Sequence, residues 1–169
     1  MTTYVALLRA VNVGGTGKLS MADLKAVCAR AGFSRIETYI ASGNVTFASA
    51  LSATGVRAML EKRLQAHTGS PVGVFVRTAA ELAAVLAENP FADRDPRATY
   101  AFFLDAAPPP AALTQARGQV DELIHPGRRE IYVHYPSGMG RSKLRLPAAA
   151  AGTARNLNTV AKLVSLSGS

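Results

Sequence analysis

The order of elements over residues 1–78 narrows the fold more than any other feature of the chain. "TYVALLRAV" (3–11) is an unbroken apolar run without alternation, the pattern of a strand covered on both faces. Ser20 is placed to cap a helix over "SMADLKAVCARAG". Asp23 stands at its third position, where the positive helix end favours it, and Gly32 follows as a stop. "SRIETYIA" (34–41) and "NVTFAS" (44–49) read as strands joined through "SGN" (42–44), whose Gly and Asn tolerate positive φ. Residues 52–68 form a second helix, with Val56, Met59, Leu60, Arg63 and Leu64 on the helical period, and "PVGVFVR" (71–77) closes the series as a strand. The order β-α-β-β-α-β predicts a ferredoxin-like arrangement, an antiparallel sheet with helices on one face.

The remainder of the chain reads as a second version of the same plan. "SMADLKAVCARAGF" (20–33) aligns without gaps to "TAAELAAVLAENPF" (78–91), with six of fourteen positions identical, and Thr78 with Glu81 makes a capping box. A strand "TYAFFLD" (99–105), a helix over 110–123, a strand "REIYVHY" (129–135), a glycine-rich turn "YPSGMGRSKL" and a closing helix "TARNLNTVAKLVSL" (153–166) follow. The expected fold class is α+β: two ferredoxin-like halves, 1–78 and 79–169, packed as one compact unit, plus a C-terminal helix. In the second copy Arg77 runs straight into Thr78. In the first, "NVGGTGKL" (12–19) stands between strand and helix, so it reads as an insertion, a place where function commonly sits.

A chain of 169 residues buries about 68–70% of its unfolded surface and needs no disulfide or metal to fold. Its single cysteine, Cys28, has no internal partner and falls in an apolar helix pattern, where it reads as a buried thiol. The N-terminal apolar run is too short to span a bilayer and lacks the basic start of a signal peptide, so a soluble cytoplasmic protein without membrane contact is expected. The formal net charge of +8 is uneven: residues 1–78 carry +6, residues 79–123 carry −4, and residues 124–169 carry +6. Basic flanks direct attention to anionic partners.

The glycine loop is not a Walker A motif. Gly17 and Lys18 fit, but Asn12 replaces the first glycine and Leu19 the Ser/Thr that would hold Mg²⁺. The spacing of Gly14, Gly15 and Gly17 does not match a Rossmann loop either. What it could form is a looser anion site from backbone N–H groups, Lys18 and the N-terminus of the following helix, with Arg9 as a neighbouring cation. The second candidate is "YPSGMGRSKLR" (135–145). Gly138 and Gly140 open the turn, Ser137, Arg141, Ser142, Lys143 and Arg145 supply donors and charge, and Arg141 can grip a phosphate through two bonds. Arg155, Asn156, Asn158, Thr159 and Lys162 form a third polar group on the closing helix. His67, His125 and His134 show no metal-ligand spacing, and no G-x-S-x-G is present. Tyr39 and Phe47 are the aromatics a ferredoxin-like sheet could offer to bases, but no RNP1 motif accompanies them.

"YVALLRAVNVGG", "TYIASGNVTF", "ENPF", "YPSGMGRSK" and "TARNLNTVAKL", in this order, resemble the bacterial family known as domain of unknown function 1697. The resemblance implies a compact α+β protein of two ferredoxin-like halves and no established activity. It carries over Arg9, Asn12, Gly14 and Gly15, then Ser42, Gly43 and Asn44, then Gly138, Gly140, Arg141, Ser142 and Lys143, and finally Arg155, Asn156 and Thr159 as candidates for a shared site. Ala10, Ala41 and Leu157 depart from the family pattern, and Leu157 in place of Trp argues against base stacking at that helix. The resulting expectation is a phosphate-bearing ligand, nucleotide or nucleic acid, held at a basic glycine-loop site by Arg9, Asn12, Gly14, Gly15, Lys18, Ser42, Asn44, Arg141, Ser142, Lys143, Arg155 and Asn156. No cofactor is expected. An enzyme acting on a small anionic metabolite and a protein-interaction module are the alternatives.

Overall fold

The apolar run after Met1 forms strand β1, Thr2–Arg9, in which five residues, Tyr4 to Leu8, are buried in succession. The computed structural model describes residues 1–9, 19–40 and 43–168. β1 is followed by α1 (Met21–Arg30), β2 (Ser34–Tyr39), β3 (Asn44–Ser49), α2 (Ala53–Thr68), β4 (Gly73–Thr78), α3 (Ala79–Ala87), β5 (Thr99–Phe103), β6 (Leu123–Pro126), β7 (Glu130–His134), β8 (Thr153–Asn156) and α4 (Leu157–Ser167). The chain divides into two compact units, Met1–Leu82 with Lys162–Ser169, and Ala83–Ala161.

In the first unit, the sheet order is β2-β3-β1-β4, antiparallel throughout. β1 is central, paired with β3 on one side and β4 on the other, and its successive residues Tyr4 to Leu8 are buried on both faces, which is why its sequence does not alternate. α1 is closed at both ends. Asp23 N–H donates to Ser20 Oγ (3.0 Å) and Ser20 N–H to Asp23 Oδ2 (3.2 Å), a full capping box. At the other end Gly32 takes φ +86° and Phe33 N–H returns to the Cys28 carbonyl (3.2 Å). The core joins Val56, Leu60 and Leu64 of α2 to Leu24, Val27 and Cys28 of α1, with Phe33 stacked on Phe47 at 4.3 Å. Leu19 belongs to this core at 2% exposure, a packing reason for leucine where a P-loop would need Ser or Thr.

In the second unit, β5 to β8 form another antiparallel sheet, ordered β6-β7-β5-β8. Two expectations from the sequence need correction. Residues 110–123 are not a helix: turns occupy 110–115, and β6 starts at Leu123. Prolines occupy 108–110 at its start, Gly118 interrupts it at φ +71°, and its apolar residues make no common face, since Ala112 is buried while Val120 is 89% exposed. The closing helix begins at Leu157, not Thr153; residues 153–156 are β8, and Asn156 Oδ1 caps α4 by accepting from Thr159 N–H (2.8 Å). The asparagine that is a poor helix former inside a helix is a good one at its start.

The strand orders also redraw the internal repeat. Each sheet follows one plan, with β5 to β8 standing where β1 to β4 stand in the other. In that plan α3, which follows β4, corresponds to α4, which follows β8; α1 is not its counterpart. Side-chain detail agrees. Arg77 and Arg155 are both buried on the fourth strand of their sheets, and each donates to the carbonyl of the residue before it, Val76 (3.1 Å) and Ala154 (2.9 Å). Thr78 and Asn156 come next, each capping the helix that follows without a loop. The alignment of 20–33 with 78–91 therefore matches helices in different places, and the inference that residues 12–19 are an insertion falls with it.

Candidate functional site

The glycine-rich turn after β7 folds back against the segment that had been expected to be helical. Arg117 and Arg145 exchange backbone hydrogen bonds, 2.9 Å from Arg117 N–H and 2.7 Å from Arg145 N–H. Gly118 follows in the left-handed region, and a β-carbon there would overlap the Lys143 carbonyl oxygen. The chains pass too closely for any residue but glycine. On the other wall Gly138, at φ +89°, leads into a short 3-10 turn, Met139–Arg141. Between these walls lies a cleft of about 480 Å³.

Two serine–carboxylate contacts hold the walls together. Ser137 Oγ donates to Asp121 Oδ2 (2.7 Å), and Ser142 Oγ donates to Glu122 Oε2. Glu122 Oε1 also accepts from Val120 N–H (2.7 Å). These bonds, the one from Ser142 first, hold the Glu122 carboxyl below its ordinary pKa, so it is an anion at neutral pH. Tyr135 lines the cleft while 4% exposed, edge-on to Tyr100, its phenol pushed up to about 12 by burial. Arg141 and Lys143 line the cleft and are exposed. The cleft thus combines two cations, two carboxylates and an aromatic side chain. It is not the uniformly basic site that the sequence suggested.

The structure brings Arg141, Ser142 and Lys143 together, with Ser137 and Gly138 beside them. Asn12, Gly14, Gly15, Lys18 and Ser42 lie outside the described residues. Arg9 is exposed at the end of β1, opposite Gly73. Asn44 is fully buried, and its amide donates to the Tyr39 carbonyl (2.9 Å) across the β2–β3 turn. Arg155 is buried in β8 and donates to Thr153 Oγ1 (2.9 Å); burial lowers its pKa to about 10. Asn156 is spent on capping α4. Phe47 lies in the core and offers no face to a base. Asp121 and Glu122 escaped sequence reasoning because 110–123 was read as a helix. Gly118, with an exposed valine two residues on, was the signal against it.

The comparison with known proteins adds family and fold. No curated protein matches the chain. A solved structure, that of the conserved bacterial protein SP0830 from Streptococcus pneumoniae, is 23% identical; the match covers 100% of this chain and 99% of that one with a TM-score of 0.80, which shows a shared fold. The model of the family described as Protein of unknown function (DUF1697) matches residues 1–132, and the chain belongs to that family.

Proposed function

We propose that the protein binds a small phosphate-bearing molecule of the nucleotide type in the cleft beside the glycine turn. The observation that carries this reading is the mixed lining: exposed Arg141 and Lys143 together with Asp121, Glu122 and Tyr135. A phosphate would meet Arg141 and Lys143, with Arg141 able to donate two parallel bonds. Sugar hydroxyls are donors, and a carboxylate such as Asp121 accepts from them. Tyr135 lines the cleft but is 4% exposed, so it bounds the space and does not serve as a stacking face. A volume of about 480 Å³ suits one small ligand. A bare phosphate would be repelled by the two carboxylates, whereas a ligand that is anionic at one end and donor-rich at the other uses both. The fold belongs to the same proposal: the recurring strand order supports two halves, 1–78 and 79–169, of ferredoxin-like strand order, the second without α-helices between its four strands. So does the placement in the cytoplasm, since among the described residues no helix is long and apolar enough to cross a membrane and Cys28 is a free, buried thiol.

Calorimetric titration with nucleoside mono-, di- and triphosphates tests the reading. Arg141→Gln should weaken binding by about 1.5–3 kcal/mol, the worth of a hydrogen bond to a charged group, with an unchanged circular dichroism spectrum. Nucleic acid held by the same two cations would show a slope of log K against log salt of about −1.4 to −1.8. Absence of binding to any of these ligands, or full binding by Arg141→Gln, refutes the assignment.

A further inference from the structure

We infer that the groove between α1 and α2 is a second anion site, one that takes a phosphate group on Arg30, Arg63 and His67. The inference is independent of the glycine-turn cleft, because all of its residues lie in the first unit. It begins with an anomaly in sequence. Arg63 falls on the buried face of α2, between Leu60 and Leu64, both fully buried. An arginine in such a register ordinarily finds a carboxylate or a carbonyl. The Arg63 Nε–H is buried and makes no hydrogen bond, and it is the one such side-chain atom among the described residues.

The surroundings of Arg63 point to what would satisfy it. A cavity of about 320 Å³ is lined by Val27 and Arg30 of α1 and by Arg63, Ala66 and His67 of α2. On α2, positions 63, 66 and 67 share one face; on α1, positions 27 and 30 do. The helices therefore aim two guanidiniums and an imidazole at one space. Among the described residues neither Arg30 nor Arg63 has an ion-pair partner. One carboxylate approaches the imidazole: Asp23 Oδ2 lies 3.6 Å from His67 Nε2. Asp23 is occupied by the capping box and its pKa is lowered, chiefly by the Ser20 backbone bond, so it is an anion already committed to the helix start. Two arginines set round a small cavity match a tetrahedral oxyanion, since each guanidinium presents a planar fork of donors. The opening accepts inorganic phosphate or the phosphate of a monoester.

The experiment is a ¹⁵N–¹H titration of the full-length chain with inorganic phosphate and, in parallel, glycerol 3-phosphate, at constant ionic strength held with chloride. Saturable shifts are expected at the amides of Val27, Arg30, Arg63, Ala66 and His67. Arg63→Gln and Arg30→Gln should each weaken that site by about tenfold or more, as expected for a lost bond to a charged group, while Arg141→Gln leaves it unchanged. Arg30 is exposed, so its variant keeps the test sound if Arg63→Gln does not fold. Shifts with phosphate alone identify the free ion as ligand, and shifts with both identify the phosphate group as sufficient. The inference is overturned if neither anion moves these amides, or if neither arginine variant weakens the site. It is also overturned if Arg141→Gln abolishes it while the other two variants leave it intact, and that result would send the phosphate to the glycine-turn cleft.

Discussion

Replacing Gly118 by alanine tests how the glycine-turn cleft is built. Two separate terms oppose the new methyl group. The first is conformational: Gly118 has φ +71°, and an L-residue in the left-handed region costs about 1–2 kcal/mol. The second is steric. The added carbon would overlap the Lys143 carbonyl oxygen and stand 3.0 Å from its carbonyl carbon. A backbone atom cannot rotate aside, so relief requires moving the 142–145 segment away and stretching the paired Arg117–Arg145 bonds. Shifts of that kind cost about 1–3 kcal/mol. The sum is about 3 kcal/mol, which for a chain of this length lowers Tm by roughly 6–12 °C. Gly69→Ala is the control, because Gly69 is left-handed at φ +82° but a β-carbon there meets nothing within 4 Å. It retains only the first term, about 1–2 kcal/mol. Urea unfolding of both variants, followed by circular dichroism, separates the terms. Equal destabilisation of the two would show that 118 and 143 do not approach each other as described, and the cleft geometry would fall with that contact.

Two further outcomes follow from the same reasoning. Asn156→Ala should cost about 1 kcal/mol in the same unfolding assay, because it deletes the cap of α4, while Asn156→Ser restores most of the loss; no loss in Asn156→Ala would return Asn156 to the list of candidate ligand residues. Cys28 should resist iodoacetamide at pH 8 in the folded protein and react promptly in urea, since burial raises its pKa from an ordinary 9.0 to about 12. The unfolded chain then holds fewer protons than the folded one between those values, so Cys28 contributes a fall in stability as pH rises from about 9 toward 12, and Cys28→Ala should flatten that alkaline limb; an unchanged slope would place the thiol in water.

The first unit was legible in sequence because local signals and long-range ones agree there. The apolar run of β1, the capping residues Ser20 and Asp23, the stop at Gly32 and the period of Val56, Leu60 and Leu64 each specify one element, and tertiary packing uses all of them. The second unit misled where composition and context disagreed. Residues 110–123 hold enough Ala, Leu and Gln to resemble a helix, yet their path is set by Gly118 under Lys143 and by Glu122 held from Ser142, contacts twenty or more residues apart. Helix propensity does not register such contacts. The same is true of the helix start at 153. β8 pairs with β5, some fifty residues earlier, and that pairing outweighs the local helical pattern of "TARNLN". Of the candidate site, Arg141, Ser142 and Lys143 were found because glycine and charge concentrate in the turn. Its acidic wall was missed because the partner segment carries no glycine-rich signature of its own.

The grouping of Lys162–Ser169 with Met1–Leu82 bears on how the protein is made. The first unit is discontinuous in sequence, interrupted by Ala83–Ala161. On the ribosome its two helices and four strands emerge first, but the last turns of α4 emerge only after the whole second unit has been synthesised, a delay of roughly 4–16 s at ordinary elongation rates. The early part must wait in an unfinished state, and emergence of residues 162–169, not synthesis of residue 82, is the event that completes it.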